Sequence, residues 1–115
     1  MTSAPSRAGS GQLRAHATVT QHERDRSKTV AHEKVVEGSL PGEGAGWAGK
    51  VFELTIPGPE RSYKSAHIGV IACMPCAPTP VGFAAAYVLI DEIIDEQIQA
   101  MAEEVNAHFY DPKRR

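Results

Sequence analysis

A chain of 115 residues suffices for one domain with a modest core, and 42% hydrophobic with 23% charged residues is ordinary for a globular protein. A net charge of −2 gives no global electrostatic case for nucleic acid, and two cysteines are too few for a secreted disulfide framework. The charge is uneven: residues 1–80 hold nine Lys/Arg against seven Asp/Glu, and residues 81–115 hold three against seven, so a mildly basic front precedes an acidic back.

The opening MTSAPSRAGSGQ has no apolar run of the kind a secretory signal needs, and a reducing, cytoplasmic setting is the expectation. Its Ser, Gly, Ala and Pro content reads as a flexible arm over 1–12. A single domain follows over 13–110, then a short basic tail over 111–115. LRAHATVT (13–20) alternates, with Leu13, Ala15, Ala17 and Val19 on one side and Arg14, His16, Thr18 and Thr20 on the other, which predicts a half-buried strand. HERDRSK (22–28) is a charged connection, and the β-branched TVAHEKVVE (29–37) is a second strand. GSLPGEGAGWAG (38–49) reads as a glycine-rich loop presenting Trp47. KVFELTI (50–56) is a third strand, PGPE (57–60) a turn, and RSYKSAHIGVIA (61–72) a fourth strand whose second half is apolar on both faces.

No Asp, Glu, Lys or Arg occurs from Ser65 to Ile90, a length that could span a bilayer. Pro75, Pro78 and Pro80 in its middle exclude a continuous membrane helix, so the stretch reads as strand, proline turn and helix start. Thr79 is a capping residue, and Pro80 suits the first helical position, where its missing N–H costs nothing. From there Phe83, Tyr87, Ile90, Ile94, Ile98, Met101, Val105 and Phe109 recur at helical spacing as one apolar stripe, and Pro112 ends the run. The expected fold class is α+β: a four-stranded antiparallel β-meander followed by one long C-terminal α-helix. A helix over about 80–109 is roughly 45 Å long. Strands of ~20 Å would leave part of the stripe uncovered, which makes those eight residues the expected oligomer interface.

Four other groups carry candidate chemistry. Cys73 and Cys76 form a Cys-x-x-Cys. It is a candidate metal (zinc) pair needing further ligands such as His67 or His108, or a dithiol, or two small fillers of a strand-to-helix turn. DEIIDE (91–96) places Asp91 with Asp95 and Glu92 with Glu96 on one helix surface, which reads as a solvated acidic face. His16 and His32 fall on predicted strands that could set them opposite each other across a hairpin, but no catalytic spacing links the five histidines. Arg14, Arg24, Arg26, Lys28, Lys34 and Lys64 are the candidate contacts for a single nucleic-acid strand along a sheet face. The β-β-β-β-α order is similar to that of single-stranded nucleic-acid-binding folds of the Whirly type, but no motif of that family is present. Trp47 is either a core plug or a partner contact.

These readings converge on a small non-enzymatic binding or assembly protein. It self-associates through its helix, as a homo-oligomer or a subunit of a larger particle, with no cofactor and no membrane. Small coat and tail proteins of phages share this profile of compact sheet, long helix and loose arm. The alternatives are a nucleic-acid-binding regulator using the sheet face, and a zinc or thiol protein centred on Cys73 and Cys76.

Overall fold

The computed structural model of the protein describes residues 11–22 and 27–110, with the side chains of all of these except 27–33. The expected arm (1–12) lies outside the described residues but for Gly11 and Gln12, which already belong to a strand, and the basic tail (111–115) lies outside them altogether. Four strands, β1 (Gly11–His22), β2 (Ser27–Leu40), β3 (Gly46–Pro57) and β4 (Lys64–Cys76), precede one helix, α1 (Pro80–Tyr110). All neighbouring strands are antiparallel, and the α+β class is as expected. The order across the sheet, β2-β1-β4-β3, departs from a sequential meander: two hairpins lie side by side and β1 pairs with β4.

This order explains the glycines of PGEGAG. Residues 41–45 must carry the chain from one edge of the sheet to the other, three strand spacings or roughly 14 Å away. Five residues, which span about 17 Å when extended, cover that distance with little slack, so the loop crosses the ends of β1 and β4 directly, bending at Gly44 and Ala45. A Cβ on Gly42 would strike the Pro75 carbonyl, and one on Gly44, at φ +134°, would strike that of Cys76. The glycines permit close approach; they do not form a loose loop.

The strands run longer than the sequence suggested, 12 to 14 residues each. At about 3.3 Å per residue this is roughly 40–46 Å, matching a 31-residue helix of about 46 Å. The helix starts as expected, with the Gly82 N–H donating to Thr79 Oγ at 3.0 Å. It runs back antiparallel to β4 and lies chiefly over that strand. Its inner face, Ala86, Ile90, Ile94, Met101, Val105 and Phe109, is buried against Ala15, Ala17 and Val19 of β1 and Ala66, Ile68, Val70 and Ala72 of β4. Phe83 and Ile98 pack half-buried at its margins, while Tyr87 stays exposed. The eight-residue stripe is thus largely consumed inside one chain. The overhang that motivated an interface there does not exist, because the sheet is as long as the helix.

Candidate binding surface on the open sheet face

One helix covers one face of the sheet. Alternation sends the remaining side chains of every strand to the other face. The register places them in rows: Trp47 beside Pro75; Gly49, Cys73, Gln12 and Ser39; Val51, Ile71, Arg14 and Glu37; Glu53, Gly69, His16 and Val35; Thr55, His67 and Thr18. The face divides in two. Near the β2–β3 crossing it is apolar, with Trp47 47%, Val51 62% and Ile71 42% exposed around a half-buried Cys73. Toward the hairpin turns it is polar. There His67 Nε2 lies 3.6 Å from Glu53 Oε1, and the His16 and His67 rings stand 5.8 Å apart. Gly69 makes room for the His16 ring, which a Cβ at that position would strike. Arg14 pairs with Glu37 at 3.5 Å, with both groups largely exposed. Exposed pairs of this kind stabilise little, so they set the polarity of the surface rather than its rigidity.

The structure separates the two cysteines. Both lie within β4, not in a turn, and three residues apart on a strand means opposite faces: Cys73 on the open face, Cys76 buried under the helix. Among the described residues no group of three His, Cys, Asp or Glu side chains is placed to hold a metal. His67 lies six residues up β4 from Cys73, roughly 20 Å away, and His108 is on the last turn of the helix, far from both thiols. The two thiols therefore do not face one site, and among the described residues no third ligand joins either of them. In the native protein a thiol reagent is expected to label Cys73 quickly and Cys76 only on unfolding, with the melting temperature unmoved by a chelator. Equal labelling rates would contradict this placement.

The basic residues do not converge. Arg14 is on the open face, while Lys34 and Lys64 lie on the helix side, Lys34 at 3.8 Å from Glu104. Arg24 and Arg26, and the side chain of Lys28, lie outside the described residues. His16 stands opposite Val35 in the register, not His32, whose side chain is also outside them. The acidic run is exposed as expected, with one member engaged: Asp91 accepts from Lys50 Nζ at 2.7 Å. That hydrogen bond and the Asp91 charge raise the Lys50 pKa above its ordinary value. A raised lysine pKa means that the pair's small contribution is present at neutral pH and lost only as pH climbs through that value.

Trp47, assigned to a loop by its glycine neighbours, sits on β3 with its ring at the surface, so it is not a core plug. Val35, Val51 and Ile71 were missed as surface residues. The signal was available: the second half of β4 is apolar on both faces, and a single helix can bury only one. Among the described residues no helix is long and apolar enough to cross a membrane. No protein-family model matches this chain, and neither does any curated protein or solved structure.

Proposed function

We propose that this is a small non-enzymatic assembly protein that self-associates through its sheet, as a structural subunit of a larger particle. One observation carries the reading. The uncovered face presents Trp47, Val51 and Ile71 as a contiguous exposed patch, on residue types that dominate buried protein contacts. The helix stripe is already spent on the chain's own core, so association moves from helix to sheet. The titratable side chains support a non-catalytic role, since they pair off across an open surface instead of converging in a cleft.

The test is sedimentation velocity on the wild type and on Trp47→Ser combined with Ile71→Thr. Both substitutions are at the surface and should cost the fold little. The wild type is expected to form species larger than one chain, and the double variant to lose the largest of them while melting close to the wild type. Identical profiles, or a wild type that stays a single chain at every concentration, would refute the proposal.

A further inference from the structure

A second contact is encoded in β3, and the inference from it rests on the self-association reading above. β3 is an edge strand of 12 residues, so one row of its backbone groups meets no neighbouring strand. Tyr87 identifies that row. Its hydroxyl donates to the Gly49 carbonyl at 3.3 Å and lies 3.5 Å from the Gly49 amide nitrogen. The N–H and C=O of one residue in an antiparallel strand point the same way, so Gly49 faces outward. By alternation so do Trp47, Val51, Glu53 and Thr55.

Natural edges are usually guarded by proline, by bulges or by outward-turned lysine. This one has no proline before Pro57 and pairs with β4 in unbroken register. Its lysine, Lys50, is drawn onto the helix by Asp91. The opposite edge, β2, is irregular by comparison, with two register shifts against β1.

We propose that β3 pairs antiparallel with β3 of a second copy about a twofold axis at Val51, joining two four-stranded sheets into one of eight strands. The strand is its own complement in this register. Val51 meets Val51 of the second copy, Gly49 meets Glu53, and Trp47 meets Thr55, so outward-facing backbone groups oppose each other at every step. On the helix side Gly46 meets Ile56, Ala48 meets Leu54, and the stem of Lys50 meets Phe52. The small side chains of the first half thus lie against the large ones of the second, and Phe52, Leu54 and Ile56 are only partly covered in a single chain. No two like charges stand opposite. The Tyr87 hydroxyl is the competitor, since it must release Gly49 for pairing to extend there. A twofold edge contact closes at a dimer; the separate patch on the open face lets dimers grow into a larger assembly.

Sedimentation equilibrium on the full chain tests this with two variants. Val51→Pro deletes one outward N–H that β4 does not use, and edge strands tolerate proline at such positions; amide exchange of β4 checks that the sheet persists. The dimer is expected to disappear in Val51→Pro and to tighten about three- to tenfold in Tyr87→Phe, where the competing hydroxyl is gone. If the wild type associates and Val51→Pro dimerises equally well, the edge contact is wrong while self-association stands. If Val51→Pro does not fold, Tyr87→Phe decides, and an unchanged or weaker dimer overturns the proposal. A wild type that never associates overturns both readings.

Discussion

Ile94→Glu is expected to abolish folding of the individual chain, whereas Val88→Glu, on the same helix, leaves it folded. Ile94 is 4% exposed and packed over an interior in which no polar or charged side chain is buried among the described residues. A carboxylate there has no partner, and an uncompensated buried charge costs several kcal/mol unless the group takes up a proton. That is a large share of the roughly 5–15 kcal/mol that holds a domain of this size together. Val88 is 58% exposed on the outer crest of the helix, where a charge stays in water. Circular dichroism and thermal melting separate the two variants. If Ile94→Glu remained folded and merely dissociated, the stripe would be an interface after all.

Ala72→Leu should destabilise the fold by about 1–3 kcal/mol. Small residues line the helix–sheet junction: Ala15 and Ala17 on β1, Ala48 on β3, Ala66 and Ala72 on β4, and Ala86 facing them from the helix. They let the helix settle close to β4 while Ile68, Val70, Ile90 and Met101 fill the space around them. Ala72 is fully buried in the core between β4 and the helix, so extra methyl groups there must lift the helix or force neighbouring side chains off their rotamers. Ala84 is the control: it is exposed on the helix, and Leu there should be nearly neutral. Urea unfolding of both variants gives the comparison. A neutral Ala72→Leu would mean that the junction is loosely packed.

Both predictions depend on features that were unevenly legible in the sequence. Alternation in LRAHATVT and the helical recurrence from Phe83 to Phe109 revealed the elements, and Thr79-Pro80 located the helix start to the residue. Strand ends are poorly legible because glycine and proline, which usually break strands, lie inside them here. Gly46 and Gly49 lie inside β3, and Pro75 lies inside β4 opposite Trp47. Each truncation shortened the sheet on paper, and a short sheet left the helix stripe apparently uncovered. The Cys-x-x-Cys was misjudged for the same reason: read as a turn, it could converge on a metal, but as strand its two thiols point apart. The strand order was not legible, since nothing local in β1 and β4 announces that they pair across 41 intervening residues (23–63). The surface patch was half legible. Val51 shares the face of Trp47 once both lie on one strand, but Ile71 is brought beside them only by the β3–β4 register.

Copies of this chain are proposed to join through the open sheet and not the helix, and a native mass of the untagged protein reads this out in one spectrum. Masses are expected at whole multiples of 12.4 kDa with no added metal, and the Trp47→Ser, Ile71→Thr variant is expected to lose the largest of them. A single species at 12.4 kDa at every concentration, or multiples that the variant retains in full, would contradict that proposal.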